Sequence, residues 1–93
     1  MDQHTELLIE EAAQILKIAG ANEVFIFGSA TKGTLTDSSD IDMAVSGLPP
    51  KVFFRTMGQI EDILRRPVDL IDLDEQTPFT RYLKEEGELH RVG

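Results

Sequence analysis

The 93-residue chain contains no cysteine and no tryptophan. The absence of cysteine excludes a disulfide framework, a thiolate zinc site and a cysteine nucleophile. No apolar run approaches the roughly 20 residues that a membrane-spanning helix needs, and the first residues lack the basic start and apolar segment of a secretory leader. We therefore expect a cytoplasmic protein without membrane contact.

Basic residues are scarce as well. Nine lysines and arginines stand against seventeen aspartates and glutamates, which gives a formal net charge of −8. A protein that grips nucleic acid normally presents a basic face, because phosphate contacts dominate that affinity. We expect no stable binding to nucleic acid. A metal-complexed nucleotide remains compatible with this charge, since the metal supplies the missing positive charge.

The residues that are present indicate one small folded domain. The composition, 41% hydrophobic and 28% charged, is that of a folded globular protein. A chain of this length has room for one modest core, so we expect a single domain over residues 1–93. We found no repeat, low-complexity segment or linker that would divide it.

Apolar periodicity predicts alternating helices and strands. The first predicted elements are a helix at 6–19 stopped by Gly20 and strands at 24–27 and 40–45. A helix follows with apolar residues at Phe53, Met57, Ile60 and Leu64, and it is broken at 65–67. The last elements are a strand at 68–73 and a helix at 77–86, whose cap and first turn are marked by Thr77-Pro78. This order predicts a small α/β or α+β sheet with helices on at least one face. Periodicity alone explains Phe53, Met57 and residues 24–27, so we interpret them as core.

A Gly-Ser turn follows the first predicted strand. Gly28 and Ser29 come directly after the apolar run 24–27, and Gly33 follows five residues after Gly28. A glycine lets the backbone turn sharply and lets a phosphate approach the amides, while the Ser29 hydroxyl and N–H can both donate to phosphate oxygens. Gly28, Ser29 and Gly33 are therefore our candidate nucleotide-binding residues. Lys32 could reach the triphosphate, but we prefer to interpret it as an exposed loop lysine.

Two aspartates stand on the second predicted strand. Asp40 and Asp42 are two residues apart, so their side chains share one face of the strand, while Ile41 and Met43 face the opposite way. The Cα atoms of the two aspartates lie about 6.5 Å apart. Two carboxylates at that range repel by roughly 2–3 kcal/mol at an effective dielectric of 20. A cation would relieve that repulsion, and ligands made only of oxygen suit Mg²⁺ or Mn²⁺ better than zinc.

The third predicted strand supplies a further carboxylate. Asp69 and Asp72 point to opposite faces of this strand, and Asp69 is flanked by apolar residues, where a charge needs a partner. We predict Asp69 as the third metal ligand and Asp72 as a solvent-facing or edge residue. Arg65 and Arg66, which precede this strand, could neutralise phosphate or a partner surface, but we prefer to interpret them as a solvated pair before a proline.

Taken together, these residues resemble the signature of the DNA polymerase beta-type nucleotidyltransferase superfamily. More narrowly, they resemble the minimal nucleotidyltransferases, stand-alone prokaryotic members often found as antitoxins beside HEPN-domain toxins. The resemblance extends over residues 24–73 and rests on three segments: Gly28-Ser29 with Gly33, Ser39-Asp40-Ile41-Asp42-Met43, and Val68-Asp69-Leu70. It implies a small mixed β-sheet with flanking helices, in which two neighbouring strands carry the three carboxylates.

The resemblance also implies a chemistry. Asp40, Asp42 and Asp69 would be the catalytic and metal-binding residues, with Asp40 and Asp42 bridging two Mg²⁺ ions and Asp69 completing the site of the ion beside the acceptor hydroxyl. Gly28 and Ser29 would hold the β- and γ-phosphates of a nucleoside triphosphate. The acceptor would attack the α-phosphorus in line, and pyrophosphate would leave.

Two classes of function stay open. In the first, the protein is a Mg²⁺-dependent nucleotidyltransferase, an enzyme of the EC 2.7.7 type. It transfers AMP from ATP to a hydroxyl on a partner HEPN toxin and thereby acts as its antitoxin. In the second, it is a non-catalytic module that binds nucleotide or masks its partner. The three aspartates favour the enzyme, because a binding module need not maintain converging carboxylates. Homo-oligomerisation is left open.

Overall fold

The computed structural model describes residues 2–32, 36 and 39–93. Within them, four helices and four strands alternate along the chain. In order, these are α1 (Gln3–Ile18), β1 (Glu23–Phe27), α2 (Ser29–Lys32), β2 (Ile41–Ser46), α3 (Pro50–Leu64), β3 (Val68–Asp72), α4 (Pro78–Glu85) and β4 (His90–Arg91). No helix in this described part of the chain combines the length and the apolarity needed to span a bilayer.

The strands form one mixed sheet in the order β3-β2-β1-β4. β1 lies antiparallel to both β2 and β4, whereas β2 and β3 are parallel. A parallel pair needs a long crossover connection, and α3 supplies it between β2 and β3. The fold class predicted from the sequence, a small mixed sheet with flanking helices, is confirmed.

One side of the sheet, which we call the core face, packs against α1 and α3. Alternate strand residues point to this side because successive side chains in a strand face opposite ways. The members of this cluster are fully or nearly fully buried: Val24, Ile26, Ile41, Met43, Val45, Val68 and Leu70 from the strands, with Ile9, Ala12, Leu16, Ile60 and Leu64 from the helices. This face holds most of the hydrophobic core.

The opposite side, which we call the site face, has a smaller apolar cluster. Ala44, Leu73 and Leu83 are buried there, and Phe25, Phe27, Ile71 and Leu89 are partly buried against them. The helix that contributes to this cluster is α4, which is 8 residues long. The site face therefore keeps accessible surface at the N-terminal ends of β2 and β3, where Asp42 and Asp69 lie.

The helix ends follow sequence signals with small shifts. Thr77 is the N-cap of α4, as predicted, and its hydroxyl accepts from the Thr80 N–H at 3.1 Å. α1 starts earlier than predicted because the Asp2 side chain caps it, accepting from the Thr5 N–H at 2.7 Å. That helix ends at Ile18, with Ala19 as its C-cap.

Two features of the sheet differ from the prediction. β4 was not predicted, because two residues are too few to show an alternating pattern. It is held to the edge of β1 by pairing and by an exposed ion pair between Arg91 and Glu23 at 3.3 Å. β2 begins at Ile41, so Asp40 lies immediately before the strand and not within it.

Candidate functional site

Asp42 and Asp69 lie side by side on the site face. The register of β2 and β3 pairs their Cα atoms directly, and paired strands run about 4.8 Å apart. Their neighbours Ile41, Met43 and Leu70 point the other way, into the core face. The two-residue alternation of a strand thus brings together these two predicted site residues.

The surroundings of Asp42 disfavour the ionised form of its carboxylate. Asp42 is half-buried, whereas Asp40 and Asp69 are exposed. Burial is the largest cause that raises the pKa of Asp42 above its usual 3.8, followed by the negative charge of Asp69 and then that of Asp40. Desolvation and like charges both disfavour the ionised form. A cation placed at this carboxylate would remove both penalties.

Gly28 lies against the same carboxylate. β1 ends at Phe27, which is paired with Asp42 across the two antiparallel strands, so the turn after β1 begins beside Asp42. Gly28 has a φ of +68°, and a Cβ at this position would overlap Asp42 Oδ2. Both the left-handed backbone and the close approach therefore require glycine.

Thr31 closes the turn that Gly28 opens. Its backbone N–H and its hydroxyl both donate to the Gly28 carbonyl, at 3.0 and 2.8 Å. Ser29 is half-buried and begins α2, and Lys32 ends that helix as an exposed residue, as predicted. The Gly28-Ser29 turn and the Asp42 carboxylate consequently share one end of the sheet. Gly33, the third candidate nucleotide-binding residue, lies outside the described residues.

Arg66 holds the segment that leads into Asp40. Its Nη1 donates to the carbonyl of Thr36 at 2.8 Å and to that of Ser39 at 3.3 Å. The adjacent Pro67 carbonyl accepts from the Ile41 N–H at 3.1 Å. The interpretation of Arg65 and Arg66 as a solvated pair is therefore wrong for Arg66, which is half-buried, and correct for the exposed Arg65. No sequence signal marks the difference, because the carbonyls that Arg66 binds are 27 and 30 residues away.

Asp72 takes no part in this cluster. It pairs with Val45 in register, on the face opposite Asp69. Its Oδ1 accepts from the Asp74 N–H at 2.9 Å, so it closes the turn after β3. The prediction that Asp72 is an edge residue is confirmed, since β3 is an outer strand of the sheet.

The family of the chain follows from comparison with known protein families. A family profile described as polymerase beta, nucleotidyltransferase matches residues 10–89. The chain belongs to this nucleotidyltransferase family. Among curated proteins, none matches the sequence.

Two solved structures resemble this nucleotidyltransferase. One, provisionally described as a minimal nucleotidyltransferase, is 25% identical with a TM-score of 0.74, and the match covers 94% of each chain. The other is a chain from a crystal structure of a toxin–antitoxin with AMP-PNP. It is 26% identical with a TM-score of 0.68, and the match covers 90% of the present chain and 70% of that chain.

The donor chemistry of the nucleotidyltransferase site suits a hard divalent cation. Asp42 and Asp69 offer paired carboxylate oxygens, the ligand type that Mg²⁺ prefers. As the side chains stand in residues 2–32, 36 and 39–93, no three His, Asp or Glu side chains converge closely enough to hold a metal ion. The fit to the cation that the family implies therefore rests on the donor type of the Asp42 and Asp69 pair, and Asp40, which is exposed and follows the Ser39 carbonyl bound by Arg66, is the third candidate ligand.

Proposed function

We propose that this nucleotidyltransferase transfers a nucleoside monophosphate, AMP from ATP, to a hydroxyl group on a partner protein. The observation that carries the proposal is the position of Asp42. Its half-buried carboxylate lies between the paired Asp69 and the Gly28 turn, and its pKa is raised by burial and by the neighbouring aspartates. A Mg²⁺-complexed phosphate at this place would relieve the repulsion and bring the α-phosphorus to the carboxylates.

The proposed roles follow from the positions of the residues. Gly28 and Ser29 bind the triphosphate, because the glycine allows a phosphate close to the backbone and the serine adds a hydroxyl donor. Asp40, Asp42 and Asp69 would hold two Mg²⁺ ions, which supply neutralisation of the charge on the attacking and leaving oxygens. Asp69, on the outer strand β3, lies on the side from which an acceptor can approach.

The transfer balances as a substitution at phosphorus. A bond forms between the acceptor oxygen and the α-phosphorus, and the bond from the α-phosphorus to the bridging oxygen of pyrophosphate breaks. The acceptor proton passes to a carboxylate oxygen of Asp69, which is exposed and therefore able to release it to water.

For the acceptor we propose a HEPN-family toxin, which the AMP modification would silence. Support comes from the similar chain found in a toxin–antitoxin structure with AMP-PNP. The described residues form one sheet with its helices. In this proposal the acceptor hydroxyl therefore belongs to the partner.

A second candidate function is favoured by one observation. In the described part of the chain, three acidic side chains do not meet at a single point, which suits a module that binds nucleotide or masks its partner without transferring anything. The two functions differ in one product, a covalently modified partner.

The test is label transfer. The protein is incubated with Mg²⁺, ATP labelled at the α-phosphorus and a HEPN protein, and label on the HEPN protein is measured. We expect labelling that Asp42→Asn abolishes and that Asp72→Asn preserves. Asp72→Asn is the matched control because it changes an aspartate of the same sheet on the opposite face, and its amide oxygen can still accept from Asp74. Binding of the partner without label would favour the masking module.

A further inference from the structure

A cleft of about 260 Å³ adjoins the candidate phosphate-binding turn on the site face. It lies between the end of β1 and α4. The lining residues that matter here are Phe27, Lys32, Phe79, Tyr82, Glu86 and Glu88, together with Gly28 from the turn itself. None of the sequence patterns predicted this cleft, because its two walls are about 50 residues apart in the chain.

Two residues that line the cleft are neighbours of Asp42. Phe27 is paired with Asp42 across the strands, and Gly28 lies against the Asp42 carboxylate. The cleft and the Gly28-Ser29 turn share Gly28. A nucleotide whose phosphates bind this turn therefore has the cleft within reach of its other end.

Two aromatic side chains stand exposed along the cleft. Phe79 and Tyr82 are 48% and 53% exposed, and a separation of three residues places them on the same side of α4. The ring of Phe79 meets that of Phe27 edge-on, with centroids 6.4 Å apart. Single exposed aromatic residues are common on protein surfaces, but a pair beside a phosphate-binding turn offers flat faces on which a planar ring can stack.

The charge of the cleft decides which part of a nucleotide enters it. Glu86 and Glu88 line the α4 side, and Lys32 lies at the side of the turn. Two carboxylates repel a triphosphate, whereas a neutral base meets no such repulsion. Carboxylates only accept hydrogen bonds when ionised, so they favour a base that carries an amino group. The phosphates accordingly belong at Gly28 and Lys32, and the base belongs beside Tyr82 and Glu86.

We propose that this cleft is the base-binding subsite of the protein and that it selects a base that carries an exocyclic amino group. The base stacks on Tyr82 and Phe79, and the Glu86 carboxylate accepts a hydrogen bond from the exocyclic amino group. This inference rests on the proposed function, since it needs a nucleotide at the Gly28-Ser29 turn.

Calorimetric titration with two probes separates the contribution of the base to binding from that of the phosphates. Mg·ATP engages both parts of the surface, whereas Mg·tripolyphosphate has no base. We expect Tyr82→Ala to weaken Mg·ATP binding on the order of tenfold, because stacking of one base on one aromatic contributes on that scale, and to leave Mg·tripolyphosphate binding unchanged. Tyr82→Phe keeps the ring and should bind Mg·ATP as the wild type does.

The matched control is Phe54→Ala. Phe54 is 76% exposed and lies on α3, which packs on the core face, so its removal should leave both titrations unchanged. A third probe tests the hydrogen bond between the amino group of the base and Glu86. Mg·ITP, in which oxygen replaces the amino group of adenine, should bind the wild type several-fold more weakly than Mg·ATP, and Glu86→Ala should remove that difference.

The results distinguish this inference from the proposed function. If the wild type binds Mg·ATP and Mg·tripolyphosphate but Tyr82→Ala and Phe79→Ala change neither affinity, the base lies elsewhere. The assignment of the cleft is then overturned, while the phosphate site stands. If Tyr82→Ala weakens both probes equally, its effect is on the fold and the inference is also overturned. If wild type binds neither probe, the nucleotide site and the cleft proposal fail together.

Discussion

The two faces of the sheet are built from alternate residues of the same strands and have opposite properties. On β2, Met43 is fully buried in the core face, while its neighbour Asp42 on the site face is half-buried beside another carboxylate. The core face is closed by α1 and α3, of 16 and 15 residues, and the site face is partly covered by α4, of 8 residues.

This difference separates stability from chemistry within a small protein. Burial of apolar side chains on the core face supplies the free energy of folding. The site face carries features that oppose folding: like charges opposite each other and a half-buried carboxylate whose pKa is raised. Carboxylates with such raised pKa values cluster at functional sites. Four substitutions test the contrast.

The largest effect is expected on the core face. Met43→Ala removes a fully buried side chain and should lower the free energy of unfolding by about 2–5 kcal/mol. Denaturant unfolding measures the loss. Mg·ATP affinity of the molecules that remain folded should be unchanged, since Met43 points away from Asp42. A loss well below about 2 kcal/mol, the lower edge for such core truncations, would contradict the assignment of the two faces.

Gly28→Ala should damage both stability and binding. The left-handed backbone costs a residue with a Cβ about 1–2 kcal/mol, and the added Cβ overlaps Asp42 Oδ2. We expect a lower unfolding temperature and loss of Mg·ATP binding in calorimetry. Gly58→Ala is the control, because a Cβ at Gly58 in α3 meets nothing within 4 Å. That change should stabilise the helix by about 0.5–1 kcal/mol.

Arg66→Ala tests how the segment before Asp40 is held. Loss of the two hydrogen bonds to Thr36 and Ser39 should lower the free energy of unfolding by about 1 kcal/mol. Because Asp40 would then be less well positioned, the Mg²⁺ concentration for half-maximal ATP binding should rise. Arg66→Lys keeps one donor and should restore part of this effect. Arg65→Asn is the control, because asparagine tolerates the left-handed φ of 56° at that residue, and it should leave the Mg²⁺ requirement unchanged. An equal rise of the Mg²⁺ requirement in Arg66→Ala and Arg65→Asn would exclude a positioning role for Arg66.

The smallest expected effect is an increase in stability. Asp42→Asn removes a charge that opposes Asp69 and should raise the free energy of unfolding by about 0.2–1 kcal/mol at pH 7. The folded-state pKa of Asp42 is raised above 3.8, so ionised Asp42 destabilises the fold at neutral pH. This penalty shrinks as the pH falls through the raised pKa and is gone below 3.8, where the carboxyl is protonated in both states. The gain should fade over that range in chemical unfolding measurements, whereas a gain independent of pH would contradict the electrostatic origin.

Local patterns in the sequence account for most of the fold. The spacing of apolar residues predicted α1, α3 and three of the strands, and Thr77-Pro78 predicted the start of α4. The alternation of side chains along a strand also predicted that Ile41 and Met43 point away from Asp42, and that Asp69 and Asp72 lie on opposite faces. These features depend on neighbours within a few residues, which is why the sequence alone carries them.

Features set by distant contacts could not be predicted in this way. β4 is defined by its pairing with β1, more than 60 residues away, and Arg66 by carbonyls on another segment. The direct pairing of Asp42 with Asp69 requires the parallel register of β2 and β3, which no local pattern encodes. The cleft between Phe27 and Tyr82 likewise exists only once α4 packs on the site face.

The most direct test of the account is the effect of Mg·ATP on thermal unfolding of the wild type and Asp42→Asn. A ligand at a hundredfold excess over its Kd adds about 2.7 kcal/mol, a rise on the order of 10 °C in a domain of this size. The account predicts such a rise for the wild type only when both Mg²⁺ and ATP are present, and little or none for Asp42→Asn. An equal rise in both proteins, or none in the wild type, would contradict a nucleotide site built on Asp42.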